Sequence, residues 1–148
     1  MFLKIEGGVV EGKILVHSNS ELLNISTHNN SGDGMKIGAK IGAKIAAHME
    51  DVSFSYNGGS GLYVDANSSI NMHMEDVAFT YNGGDGMHIL GMMTNVDAYG
   101  TTTGYNGGNG IYVASGGFVS TQLRCGMVLD NVRAFSNGNN GVYVCGCL

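Results

Sequence analysis

The segment His48-Met49-Glu50-Asp51-Val52 returns as His73-Met74-Glu75-Asp76-Val77, and its repeated imidazoles and carboxylates are the side chains best suited to chemistry. With His48 stacked over His73 and Glu50 over Glu75 on adjacent strands, they have the donor types to hold a divalent metal or to share a proton. Duplication of one repeat also reproduces the segment with no demand for chemistry, and further on the corresponding place reads Val128-Leu129-Asp130. A second set, Asp33, Asp85, Asn109 and Asn140, stands before or near turn glycines, with Ser60 interrupting it. Stacked oxygens there suit calcium. An Asx residue before a turn glycine also serves simply to hydrogen-bond the backbone.

A third column comes from the middle position of apolar-x-apolar triplets: Lys36, Tyr63, His88, Tyr112 and Tyr143. If Leu62 and Val64 point inward, Tyr63 points out, and an exposed aromatic column can stack on sugar rings or pack on a neighbouring subunit. Strand propensity alone also places Tyr on such surfaces. Tyr56, Tyr81 and Tyr105 form another column, read as structural. Glycoside cleavage needs paired carboxylates. Arg124 and Arg133 lie near Asp130, but no second acid falls in that repeat, so no residue is assigned to catalysis. Three cysteines cannot all pair within one chain. Cys125 aligns with the inward Ile70 and reads as a buried thiol; Cys145 and Cys147 are placed either to cross-link chains or bind metal at a junction, or simply to sit in the core or at a frayed end.

The elements that position these residues are set by a ladder of turns, Asn-x-x-x-Gly-apolar-x-apolar, opening at Asn30, Asn57, Asn82, Asn106 and Asn137. The closing glycines are Gly34, Gly61, Gly86, Gly110 and Gly141, spaced by subtraction at 27, 25, 24 and 31 residues. Such periods signal a solenoid, whose units bury their apolar faces only by stacking. Ile25, Val52, Val77 and Val132 each precede the turn Asn by five residues, and Ile70-Asn71-Met72-His73-Met74 alternates as a strand does. Three strands per repeat follow. Gly8 is read as a degenerate first turn, with Val9-Val10 in the place of Met35-Lys36-Ile37. Tyr99 to Gly104 reads as a shifted middle strand, and residues 114 to 124 as an inserted loop. Ile37, Ile41, Ile45 and Met49 recur every four residues as on a helix, but Gly38 and Gly42 each weaken a helix by ~1 kcal/mol. The stretch is assigned to strand.

Composition agrees: 25 glycines, no proline or tryptophan and only 13% charged residues suit packed turns rather than a helical bundle. Net charge is −5 and all five lysines precede residue 45, so no basic patch for nucleic acid is expected. No apolar run approaches the ~18 residues of a membrane span, and no secretory signal is visible at the start.

Units of about 25 residues reading apolar strand, Asn-Gly-Gly-x-Gly, apolar-x-apolar resemble the right-handed parallel β-helix repeats of the pectate-lyase-like superfamily. The resemblance covers most of the chain. It implies an all-β, right-handed parallel β-helix of about five rungs with three strands per rung, forming a single domain over 1–148, uncapped at both ends. It also implies inward ladders at about 4.8 Å and a hydrogen-bonded Asn ladder at the turn. That fold hosts polysaccharide lyases, glycosidases, tail spikes, adhesins and surface filaments, so an extracellular or surface setting is implied. The expectation for function is a non-enzymatic structural solenoid that self-associates end to end, head-to-tail stacking giving a fibre or larger surface assembly. The alternative is a carbohydrate-binding or polysaccharide-cleaving domain. No cofactor is expected beyond a divalent metal at His48, Glu50, His73 and Glu75.

Overall fold

The computed structural model describes residues 2–10, 12–16, 19–38, 44–65, 69–90, 93–114 and 126–145. Short alternating segments punctuated by Gly, Asn and Asp become 16 strands, with no helix among the described residues. The first four are β1 (Phe2–Val10), β2 (Ile14–Val16), β3 (Asn19–His28) and β4 (Met35–Ile37). The next repeat supplies β5 (Lys44–Glu50), β6 (Ser53–Ser55) and β7 (Leu62–Val64). Then come β8 (Ser69–Glu75), β9 (Ala78–Thr80) and β10 (Met87–Ile89), followed by β11 (Met93–Tyr99), β12 (Thr102–Gly104) and β13 (Ile111–Ala114). The last are β14 (Gly126–Asp130), β15 (Arg133–Phe135) and β16 (Val142–Cys145).

Every pairing is parallel, and each strand lies beside its counterpart one repeat away. One sheet has ten strands in the order β14-β11-β8-β5-β3-β6-β9-β12-β15, with β1 also on β3; the other has six, β16-β13-β10-β7-β4-β2. This stacking is compatible with a solenoid. The bend that separates the long strand from the short one carries positive φ at Asn24, Asp51, Asp76, Gly100 and Asn131 (51° to 62°), residue types that tolerate the left-handed region.

Inward side chains form columns because the register repeats. Met35, Leu62, Met87 and Ile111 lie in one, and Ile37, Val64, Ile89 and Val113 in another, all buried. Ala47 stands over Met72 and Ala98 over Met74, so small residues make room for the long thioethers. Phe54 and Phe79 stack at 5.2 Å with planes 6° apart. The segment around Ile37, Ile45 and Met49 is strand, in β4 and β5, with all three side chains buried; Ile41 lies outside the described residues.

Two alignments differ from those read in the sequence. Val9 and Val10 face Ser26 and Thr27, while Ile14, Leu15 and Val16 take the place opposite Met35, Lys36 and Ile37. Gly8 is therefore not the first turn glycine. The first connection is shorter than its followers, which displaces a pattern matched on Gly spacing alone. Similarly, Thr102 to Gly104 is not shifted: it pairs in register with Ala78 to Thr80 and with Arg133 to Phe135, and Gly100 takes the bend position of Asp76. The left-handed Gly100 holds that bend, so the unusual Tyr-Gly-Thr sequence needs no change of register. The inserted loop read at 114 to 124 lies beyond β13, almost wholly outside the described residues.

Thr101 occupies the column position of Val52 and Val77, fully buried, and its Oγ1 has no hydrogen-bond partner. An unmet hydroxyl in an apolar column costs stability without changing shape. The expected effect of Thr101→Val is a gain of about 1 kcal/mol, read as a higher urea midpoint at unchanged m. A lower midpoint would show that the hydroxyl is satisfied in solution.

Candidate functional site

The turn Asn residues form a continuous amide ladder. Asn30 Nδ2 donates to Asn57 Oδ1 at 2.8 Å, Asn57 to Asn82 at 2.9 Å, Asn82 to Asn106 at 3.0 Å and Asn106 to Asn137 at 2.9 Å. Each backbone N–H of Asn30, Asn57, Asn82 and Asn106 donates to the same acceptor oxygen. Asn82 Nδ2 and Asn106 Nδ2 also reach the carbonyls of Phe54 and Phe79. The closing glycines are set by close approach: a Cβ on Gly86 would lie 2.5 Å from the Gly110 carbonyl and 2.6 Å from Thr103 Oγ1. One on Gly61 would lie 2.7 Å from the Gly86 carbonyl. Gly110 is crowded in the same way by the Gly141 carbonyl, and Gly34 by Thr27 and Asn57.

A second ladder runs with the opposite donor direction. The N–H of Ser60 donates to Asp33 Oδ1 (2.9 Å), that of Asn109 to Asp85 Oδ1 (2.5 Å) and that of Asn140 to Asn109 Oδ1 (3.1 Å). Of the oxygens read as calcium donors, those of Asp33, Asp85 and Asn109 thus accept backbone N–H groups of the following repeat. Asp33 also pairs with Lys13 at 3.7 Å. Burial pushes the Asp85 carboxyl up, but hydrogen bonds from His88 and from the Asn109 backbone and side chain outweigh it and hold the group below its ordinary value.

His88 Nδ1 lies 2.5 Å from Asp85 Oδ2, and its ring sits between Tyr63 (5.2 Å) and Tyr112 (4.6 Å). Tyr112 in turn stacks on Tyr143 at 5.3 Å, and Lys36 Nζ is 5.0 Å from the Tyr63 ring centre. Near-parallel rings this close overlap face to face, because side-by-side rings in one plane need over ~6 Å between centres. The column therefore offers ring edges to solvent, with its faces taken up by neighbours. Burial, then Asp65 and Asp33, push the Tyr63 phenol up. Tyr56, Tyr81 and Tyr105 form the second column, at 4.9 and 4.8 Å, ending edge-on against Phe135. These three tyrosines have φ of 55° to 57°, a strain of order 1 kcal/mol each that the stacking helps to offset.

On the outer face of the long strands, His48 pairs in register with His73 and Glu50 with Glu75. The imidazoles stack at 5.2 Å, 10° from parallel, and each keeps to its own glutamate: His73 Nε2 is 3.0 Å from Glu75 Oε1, His48 Nε2 3.9 Å from Glu50 Oε2. No group of three or more His, Cys, Asp or Glu among the described residues is disposed to hold a metal ion. A shallow depression of about 270 Å³ lies beside this stack, lined by Asn19, Glu21, Ala46, Asn71 and the two histidines. Arg133 lies on β15 and Asp130 ends β14. Arg124, Cys125 and Cys147 lie outside the described residues; Cys145 is an exposed free thiol.

Sequence reading put Asp85 and His88 in different sets, one as a turn oxygen and one as a strand surface residue. Their three-residue separation across the turn Gly86 was the available signal. The depression had no signal in the sequence, since Asn19 and Glu21 come from the irregular third strand.

Compared with known proteins, the chain matches no family model, no curated protein and no solved structure.

Two outcomes test the ladders. Asn82→Ala removes the acceptor of the Asn57 N–H and side-chain amide and takes one donor each from the Phe54 carbonyl and the Asn106 oxygen, and should cost roughly 3 kcal/mol in urea unfolding, against almost nothing for the exposed Asn139→Ala. Because Asp85 titrates lower in the folded chain than in the unfolded one, its contribution is complete above about pH 4 and is lost as pH falls through the lower folded value. Unfolding midpoints should therefore converge for wild type and Asp85→Asn on acidification below pH ~4. A constant gap across that range would remove Asp85 from the acid response.

Proposed function

We propose that this chain is a non-enzymatic structural module, a right-handed parallel β-helix with three strands per rung, that self-associates end to end into a larger assembly. The three-stranded rung is supported by the succession of one longer and two short strands in each repeat from β5 onward, with left-handed residues at the intervening bends. The observation that carries the association is the last rung. Val142 and Val144 are 40% and 45% exposed, although Ile111 and Val113, at the same positions one rung before, are buried. Leu129 and Phe135 of the same rung are also exposed. Open strand edges beside uncovered apolar side chains recruit further strands. Stacked ring faces in the Tyr63 column favour a packing role for it over sugar stacking.

A second reading, a carbohydrate-binding β-helix, is favoured by the depression at His48 and His73, whose amide and carboxylate lining suits hydroxyl groups. Sedimentation velocity over a hundredfold concentration range, with electron microscopy of the same samples, should reveal species larger than 15.5 kDa. A monomer throughout, combined with binding or cleavage in a screen of acidic and neutral polysaccharides, would replace the first reading by the second.

A further inference from the structure

The outer face of the long strands carries a second amide column, and this one is interrupted. Asn19 stands opposite Ala46, one step before the Ser20–Ala47 pair; Ala46 stands opposite Asn71, and Asn71 opposite Asn95. All four are exposed. Asn95 Nδ2 donates to Asn71 Oδ1 at 3.2 Å, and the Ala46 N–H donates to Asn19 Oδ1 at 3.0 Å. In the turn ladder an acceptor oxygen receives two donors from its neighbour, the backbone N–H and the side-chain Nδ2, as Asn82 Oδ1 does from Asn57. At Asn19 only the backbone half is present, because alanine has no amide. On the far side, Asn71 Nδ2 donates to no group among the described residues. The column is one carboxamide short at Ala46, with an acceptor on one side of the gap and a donor on the other. At about 4.8 Å per strand, Asn19 and Asn71 stand about 9.6 Å apart, the span of two ladder steps. The missing side chain leaves the depression of about 270 Å³, which both asparagines and Ala46 line together with Glu21, His48 and His73.

We infer that this gap is a subsite for the acetamido group of an N-acetylated amino sugar, whose amide takes the place of the absent side chain. The inference rests on the carbohydrate-binding reading above and names the sugar class. The acetamido C=O accepts from Asn71 Nδ2, and its N–H donates to Asn19 Oδ1. A secondary amide has one acceptor and one donor on opposite sides, as the two flanking groups require. A hydroxyl is a single atom and bridges only about 5.6 Å, two hydrogen-bond lengths, whereas an amide adds its own N-to-O width. The acetyl methyl rests over the Ala46 methyl. Ring hydroxyls reach the Glu21 carboxylate and the His48 imidazole, which are paired in the adjacent outward column and partly exposed. A peptide amide fits the same gap but brings no hydroxyls for that column.

Triacetylchitotriose titrated into the ¹⁵N-labelled chain should shift the Ala46 backbone N–H and the Asn19 and Asn71 side-chain amides. Cellotriose has the same linkages, no charge and a hydroxyl in place of each acetamido group; it should bind at least about tenfold more weakly, the worth of one such hydrogen bond. Ala46→Asn supplies the missing amide, so it should weaken triacetylchitotriose binding by a similar factor with circular dichroism unchanged. Asn71→Asp, which replaces the donor by an acceptor, is a second variant should the first disturb the strand. Asn139→Ala, exposed on the last turn, should bind as wild type does. Equal binding of the two trisaccharides would overturn the acetamido subsite while leaving the carbohydrate reading standing. Tighter binding of N-acetylglycine methylamide than of triacetylchitotriose would overturn the sugar assignment in favour of a peptide amide. No binding of either trisaccharide would overturn the subsite, and the polysaccharide screen then decides the carbohydrate reading separately.

Discussion

The stack depends on hydrogen-bonding the backbone of a buried turn. Asn82 is almost wholly buried, yet it accepts from the Asn57 backbone and side chain and donates to Asn106 and to the Phe54 carbonyl. Buried N–H and C=O groups without partners would cost more than the apolar columns return. The amide has both donors and an acceptor in one short side chain, so it can be received from one layer and pass to the next. Glycine at the close of the turn lets the neighbouring carbonyl approach within a distance that a Cβ would forbid. Together the two residue types hold successive layers in a single register.

Fixed register has consequences on the outer surface. Once Met49 lies on Met74, His48 must lie on His73 and Glu50 on Glu75, whatever these residues do. The same holds for the tyrosine columns. Like residues one strand spacing apart stack their faces, which yields packing energy and closes the faces to a ligand. A repeated motif in such a fold is thus weak evidence of chemistry. The pair Asp85 and His88 is different in kind, because it joins the turn ladder to the aromatic column by a direct contact between unlike groups.

Much of the fold was legible because its signals are local and recur. The Asn-Gly spacing marked the turns, and alternation at Ile70, Met72 and Met74 marked a buried face. The first repeat was not legible in the same way. Val9 and Val10 look like the triplet at Met35, but the shorter connection before Ile14 puts them against Ser26 and Thr27. At Tyr99 to Gly104 the residues look out of step, yet Gly100 adopts the left-handed bend that Asp76 adopts one layer earlier. A pattern of residue types does not report how many residues a turn consumes or which of them takes positive φ.

For the surface, the sequence named the members of each column but not their directions or partners. It put His48 beside His73 and Tyr63 in line with Tyr112. Only the packed structure decided that the imidazoles stack parallel, that His88 leans on Asp85, and that the two ends of the stack differ in how far their inward residues are covered. The division has a physical cause. Period and turn chemistry are encoded residue by residue, so they can be read along the chain. Ring orientation, shared hydrogen bonds and exposure at an end depend on atoms from layers 24 to 31 residues apart, and these meet only when the stack has formed.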